Sequence, residues 1–102
     1  MKLIVGSASS GKTKRLLELS ASNRIPILCE SLERVERLVV KARGYGYNIP
    51  MPIIASDLNS NVKEVYIDEI DNLVEKMLHV KIGAVSINKD SLAEYEDLDH
   101  KK

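Results

Sequence analysis

The sequence predicts an α/β fold, a single three-layer domain in which a mostly parallel sheet of about four to five strands is flanked by helices. Apolar runs at residues 2–5, 25–29 and 82–87 lack polar alternation, as is typical of strands covered on both faces. Segments with apolar residues at helical spacing, at 12–22 and 31–43, lie between these runs. With 102 residues, the chain is expected to form one domain.

The first half of the chain alternates strands and helices. Residues 2–5 are the predicted central strand, and a helix at 12–22 follows it after a short loop. The second strand is expected at 25–29. Ser31 is a suitable N-cap for the next helix, because its side-chain oxygen can accept a hydrogen bond from a free first-turn amide, and Gly44 is expected to end that helix.

The next segments predict an edge strand, a buried strand and a third helix. Two prolines limit residues 49–55 to a short edge strand at best. The apolar run at 65–67 is predicted to be a strand. Asp71 or Asn72 is then expected to cap a helix that continues to about Val80.

The last predicted elements are one strand and one short helix. Residues 82–87 are an apolar run that predicts a buried strand. A capping-box pattern at 91–94 predicts a short amphipathic helix that includes Tyr95 and Leu98 and is followed by a frayed end at 99–102.

Composition narrows the classes of function. Fifteen basic and fifteen acidic residues cancel, so the overall charge requires neither a nucleic acid nor an anionic membrane as partner. The sequence contains no apolar run near the roughly twenty residues that span a bilayer, and a soluble, cytoplasmic protein is expected. The single cysteine, Cys29, lies in an apolar run and is predicted to be a buried, inert thiol.

The loop between the first strand and the first helix matches the phosphate-binding pattern G-x-x-x-x-G-K-[ST]. Its residues are Gly6, Ser7, Ala8, Ser9, Ser10, Gly11, Lys12 and Thr13. The glycines let several backbone N–H groups point at a polyphosphate, and the helix that follows adds the positive end of its dipole. Lys12 would reach the terminal phosphates, and Thr13 would hold Mg²⁺ through its hydroxyl. The alternative is a Gly/Ser-rich turn before an ordinary helix.

A second motif, Asp68-Glu69, follows the apolar run at 65–67. Ligands of open α/β sheets bind beyond the carboxyl ends of the strands, so this pair is expected near the loop. Asp68 would hold Mg²⁺ opposite Thr13, and Glu69 would orient the attacking water or accept its proton. The alternative is an acidic pair that caps the next helix.

Together the two motifs resemble the Walker A and Walker B motifs of P-loop NTPases. A glutamate directly after the Walker B aspartate is the mark of the additional-strand, catalytic-glutamate division, which includes RecA-like ATPases, AAA+ proteins and helicases. The resemblance implies an extra strand between the two motif strands, with a polar sensor residue at its end. Residues 82–87 fit that strand, so Ser86 or Asn88 is the candidate sensor, with Asn88 preferred because it follows the last apolar residue.

The resemblance implies that residues 1–90 form a minimal domain that binds ATP and Mg²⁺, followed by the short helix and tail at 91–102. Hydrolysis is the expected activity, with catalytic roles for Lys12, Glu69 and Asn88. The expected process that it assists is DNA replication or recombination. The choice of ATP follows from the class alone. Minimal proteins of this kind occur in phages and mobile elements.

Two departures from the family leave other functions open. The chain is smaller than the familiar members, and no motif selects an arginine finger among Arg15, Arg34, Arg37 and Arg43. One alternative is therefore a catalytically weak or inactive module that binds and regulates a larger ATPase or another host protein. The sequence also leaves open whether the chain forms an oligomer and whether its partner is a nucleic acid or a protein. A nucleoside or polynucleotide kinase is a third reading.

Two of the four tyrosines, Tyr45 and Tyr47, lie in one turn-forming segment. Either ring could stack on a base, with Arg43 nearby for phosphate. The other interpretation is that both rings anchor the loop against the sheet.

Overall fold

The computed structural model describes residues 1–92 and 94–99, which form a small α/β domain with parallel sheets. The helices and strands of this part, in chain order, are β1 (Lys2–Val5), α1 (Lys12–Asn23), β2 (Ile27–Cys29), α2 (Leu32–Tyr45), β3 (Ile53–Ile54), β4 (Tyr66–Ile67), α3 (Ile70–Leu78) and β5 (Glu94–Asp97). Short 3₁₀ turns lie at Ala55–Asp57 and Lys89–Ser91. The α/β class predicted from the sequence is confirmed.

The prediction of one sheet of about four to five strands is wrong, because the described strands form two smaller sheets. β2 is the middle strand of a three-stranded sheet with the order β3-β2-β4, and Leu28 stands opposite Ile53 on one side and Ile67 on the other. β1 pairs in parallel with β5 in a separate two-stranded sheet. All residues of β2 are buried, whereas those of β1 are half-buried. The prediction that β1 is the central strand is therefore wrong, since β2 has strands on both sides and β1 has one within the described residues.

The core holds α1 and α2 against β2. Leu17, Ile27 and Leu38, one from each element, are fully buried. Ile4 of β1 and Tyr66 of β4 pack against this cluster. The core therefore fixes the start of α1 and the face of α2 relative to the ends of the strands.

The helix ends follow local capping chemistry in part. Ser31 caps α2 as predicted, because its Oγ accepts a hydrogen bond from the Arg34 amide at 3.2 Å. The predicted stop at Gly44 is wrong: α2 continues through it to Tyr45, and Gly46, with a left-handed φ of 78°, is the C-cap. The predicted cap of α3 at Asp71 or Asn72 is also wrong. Glu69 holds the cap position, and the acidic Asp71 lies in the first turn, where a helix dipole favours it.

The C-terminal part differs most from the predictions. Residues 82–87 form no regular strand, and Val85 and Ile87 are 74% and 47% exposed. An apolar run becomes a strand only when it pairs with another strand, and no described strand pairs with this one. The predicted helix after Ser91 is wrong as well, because Glu94–Asp97 form β5 beside β1. Ala93 of the capping box and the predicted tail at 100–102 lie outside the described residues.

No helix in residues 1–92 and 94–99 combines the length and the apolar character needed to cross a membrane.

Candidate functional site

The loop between β1 and α1 turns tightly at two glycines. Gly11 has a φ of 94°, in the left-handed region that glycine adopts without strain, and Ser9 also has a positive φ of 67°. A Cβ atom on Gly6 would lie 2.3 Å from Ser10 Oγ, so this close approach needs glycine. Both glycines of the sequence pattern are therefore required by the loop's shape.

The N-terminus of α1 is open toward the loop. No side chain in the described part of the chain caps this helix, and its first turn holds Lys12 and Lys14 but no acidic residue. The start of α2 is different, with Ser31 as cap and Glu33 in the first turn. First-turn amides have no partner within a helix, and the helix dipole favours negative charge there. The start of α1 therefore combines free donors with positive charge, which suits an anion.

Lys12 is held by the loop itself. Its ammonium Nζ donates hydrogen bonds to the carbonyl oxygens of Gly6 and Ser7, both at 2.8 Å. Three donors are available on an ammonium group, so these two bonds leave one for a ligand. The side chain is half-buried, and its charge is fixed beside the start of α1.

The structure brings the two predicted motifs together. Thr13 Oγ1 donates a hydrogen bond to Asp68 Oδ2 at 3.1 Å, and the Asp68 side chain is only 6% exposed. The guanidinium of Arg34, on α2, forms an ion pair with the same carboxylate oxygen. Asp68 is thus satisfied on one side by the loop helix and on the other by α2.

The oxygen atoms of Thr13 and Asp68 fit a magnesium ion. Mg²⁺ prefers hard oxygen ligands and usually takes only one or two from protein, the rest being water and phosphate oxygens. Within residues 1–92 and 94–99, no group of three or more His, Cys, Asp and Glu side chains is placed to hold a metal ion. The pair therefore suits a metal that arrives with a phosphate.

Glu69 lies beside this pair but in a different environment. Its backbone has a φ of 52°, in the left-handed region, and its side chain is exposed. Its Oε2 accepts a hydrogen bond from Asn72 Nδ2 at 2.5 Å. The carboxylate is accessible to water, unlike that of Asp68.

These residues line two neighbouring cavities. The larger, of about 390 Å³, is lined by Ala8, Ser9, Gly11, Lys12, Thr13, Lys14, Arg34, Lys41, Tyr45 and Glu69. The smaller, of about 190 Å³, lies at the ends of β2 and β4 and shares Arg34 and Glu69 with the first. Four cationic side chains and a single carboxylate line the larger cavity, so its wall is strongly positive.

The helix α2 contributes three residues to the site. From the sequence, Arg34 was one of four candidate arginine fingers and Tyr45 one of two rings that could stack on a base, whereas Lys41 was not assigned to the site. Arg34, Lys41 and Tyr45 all line the larger cavity. Their spacing of seven and four residues places them on one face of a helix. This spacing on one helix face is the sequence pattern that could have indicated that the three residues act together. The structure also distinguishes two of the four candidate arginine fingers. Arg34 lines the cavity, whereas Arg15 is bonded to Glu96 and Glu18.

Asp99 contacts the loop from the C-terminal segment. Its Oδ2 accepts a hydrogen bond from the Ser7 amide at 2.5 Å, and its Oδ1 accepts one from Ser7 Oγ at 3.1 Å. No local pattern in the sequence indicates this contact across 92 residues.

The two candidate sensor residues are not brought into the site. Asn88 caps the 3₁₀ turn at Lys89–Ser91, where its Oδ1 accepts a hydrogen bond from the Asp90 amide at 2.9 Å. Ser86 is exposed in the irregular segment. Neither residue lines either cavity.

The site has to be interpreted from its own residues, because no protein-family model, no curated protein and no solved structure matches this chain.

Proposed function

We propose that this chain binds a nucleoside triphosphate together with Mg²⁺ and hydrolyses it, as a minimal P-loop NTPase. The observation that carries the proposal is the hydrogen bond between Thr13 and Asp68, which joins the loop to the acidic pair at the end of β4. β1 and β4 lie in separate sheets, yet both direct the residues after their carboxyl ends to the same cavity. The P-loop arrangement of the sheet and ATP as the nucleotide are parts of the proposal.

The charges around the cavity support a polyphosphate ligand. Lys12, Lys14, Arg34 and Lys41 line it, and the uncapped start of α1 opens into it. A triphosphate carries several negative charges close together, and such preorganised donors stabilise both the bound phosphate and the charge that develops during transfer.

The residues at the cavity edge support hydrolysis. Thr13 and Asp68 would hold Mg²⁺, which supplies charge neutralisation on the β and γ phosphates. For this role Arg34 would have to leave Asp68, with which it forms an ion pair, and its side chain already lines the cavity. Glu69, exposed to water, would take the proton of the attacking water.

The test is calorimetric titration with Mg²⁺ and a non-hydrolysable ATP analogue. The wild type is expected to bind, and Lys12→Ala is expected to abolish binding because it removes the charge held over the loop. Lys63→Ala, at an exposed position outside both cavities, is the matched control and should bind normally. Absence of binding by the folded wild type at millimolar ligand would refute the proposal.

The Arg34–Asp68 ion pair favours a second candidate, a module that binds nucleotide weakly or without turnover and regulates a larger ATPase. In this arrangement Asp68 is occupied, and Asn88 lies away from both cavities. Steady-state turnover separates the candidates. Hydrolysis that is lost in Glu69→Gln while binding persists supports the enzyme, whereas tight binding without turnover, alone or with DNA, supports the regulatory module.

A further inference from the structure

Tyr45 places an exposed aromatic ring in the wall of the phosphate-loop cavity. It is the last residue of α2, its exposure is 48%, and it lines the same cavity as Lys12 and Lys14. An aromatic ring this exposed gains little from burial in the fold. Its position beside a cationic cavity calls for a ligand that is anionic at one end and flat and apolar at the other.

The ring is held in place from the protein side. The Tyr47 ring lies 5.6 Å from that of Tyr45, at an interplanar angle of 36°. Tyr47 is half-buried against the core, and its hydroxyl donates a hydrogen bond to Glu18 Oε2 at 3.3 Å. The two tyrosines therefore differ in role: Tyr47 anchors the segment and Tyr45 faces the cavity, whereas one interpretation of the sequence placed both rings against the sheet.

Lys14 connects the aromatic end of the cavity to its phosphate-binding end. Its ammonium lies 5.2 Å from the centroid of the Tyr45 ring, at cation–π distance. Lys14 also belongs to the first turn of α1, beside the loop. A bound polyphosphate would attract this ammonium, and the ring face that it covers would become available to a flat group.

We propose that Tyr45 is the stacking surface for the base of the bound nucleotide, and that the base is a purine. This inference rests on the proposed function, because the loop must first bind the phosphates. A cavity of about 390 Å³ lies in the range of small-molecule sites, and an inorganic polyphosphate would leave its aromatic end unused. A purine is favoured over a pyrimidine because its larger ring system overlaps more of the phenol ring.

The experiment compares two ligands that share their phosphates. Binding of ATP and of inorganic tripolyphosphate, each with Mg²⁺, is measured by calorimetry for the wild type, Tyr45→Ala, Tyr45→Leu and Tyr45→Phe. Loss of one stacked base is expected to weaken ATP binding roughly ten- to a hundredfold in the alanine and leucine variants. Tripolyphosphate binding should stay within about twofold, and Tyr45→Phe should retain ATP affinity because the aromatic face remains.

Tyr95→Ala is the matched control, since this tyrosine is 63% exposed on β5 and lines neither cavity. Equal weakening of both ligands in Tyr45→Ala and Tyr45→Leu would overturn the inference, as would a wild type that binds both ligands equally well. Equal affinity for ATP, GTP, CTP and UTP would overturn the purine assignment. A wild type that binds neither ATP nor tripolyphosphate would refute the phosphate site itself and, with it, the role of Tyr45.

Discussion

The hydroxyl of Thr13 and the carboxylate of Asp68 are joined by a hydrogen bond of 3.1 Å, although 55 residues separate them in the chain. The bond links the first turn of α1 to the residue that follows β4. Neither residue holds this position through its own segment alone, because the buried core of α1, β2 and α2 sets the distance between the two elements. The candidate site is therefore a product of tertiary packing.

Replacing Thr13 with valine keeps the volume and removes the hydroxyl. We expect a loss of stability of about 1 kcal/mol, the usual size of one hydrogen bond, and loss of the Mg²⁺-dependent part of nucleotide affinity. Thr13→Ser keeps the hydroxyl and should retain both properties. Titration of an ATP analogue with and without Mg²⁺ measures the effect, and an unchanged Mg²⁺ dependence in Thr13→Val would contradict the metal role.

Arg34→Ala leaves the nearly buried carboxylate of Asp68 without its ion-pair partner. We expect a destabilisation of about 2 kcal/mol, because the remaining charge is poorly solvated. Arg37→Ala is the control, since Arg37 is exposed on the same helix and forms no ion pair within the described residues. Urea unfolding measures both variants, and Mg²⁺ should partly restore the stability of Arg34→Ala. Equal losses of stability in the two variants would show that the Arg34–Asp68 ion pair does not account for the effect of Arg34→Ala.

Asp99→Ala removes a carboxylate from the loop. Asp99 accepts hydrogen bonds from the Ser7 amide and hydroxyl. Its replacement therefore frees these two donors and removes one negative charge from beside the proposed anion site. We expect tripolyphosphate affinity to rise about threefold at low salt, as one charge some 7 Å away in water would predict, and the gain to fade at high salt. Asp90→Ala, in the 3₁₀ turn, serves as control. A fall in affinity would indicate that Asp99 shapes the loop for binding.

The stability of the protein is expected to fall at alkaline pH because of Cys29. Burial raises the pKa of its thiol to about 11, and the charge of Arg34 opposes this rise. Below the ordinary value of 9.0, the thiol is protonated in both states and contributes no pH dependence. Between about pH 9 and 11 the unfolded chain releases the proton and the folded chain keeps it, so unfolding becomes easier by about 2 kcal/mol.

Urea unfolding at pH 8, 9.5 and 10.5 measures this term. The comparison is with Cys29→Ala, which should lose less stability over the interval than the wild type does. Parallel curves for the two proteins would contradict the assignment to Cys29.

Leu17, a residue of α1, is fully buried in the hydrophobic core. Leu17→Ala is expected to cost about 2–5 kcal/mol, from lost burial and the cavity that remains. For a domain of this size each kcal/mol lowers Tm by roughly 4–8 °C. Leu32→Ala, at a position that is 64% exposed, should change Tm little. Thermal melts followed by circular dichroism give both values.

The elements whose signals are local were predictable from the sequence. β1 lies at Lys2–Val5 as expected, and the spacing of apolar residues predicted α1 and most of α2. The loop and the acidic pair were identified because their chemistry depends on short patterns. They were expected close together from the rule that strand ends meet at one edge of a sheet, and they do converge, although β1 and β4 lie in separate sheets.

The errors concern features that depend on distant partners. The segment after Ser91 satisfies a capping box, yet it forms β5, because pairing with β1 outweighs a weak local helix preference. The apolar run at 82–87 does not show by itself whether another strand will pair with it. In the same way, the contacts of Asp99 with Ser7 and of Arg34 with Asp68 depend on packing that a linear pattern does not encode.

The pairing of β1 with β5 also has a consequence for protein synthesis. The ribosome makes β1 more than ninety residues before β5, which at usual translation rates is an interval of roughly 5 to 20 seconds. During that interval the edge of β1 has no partner from its own chain and is open to pairing with a neighbouring nascent chain. The loop between β1 and α1 is thus translated well before β5, the strand that pairs with β1.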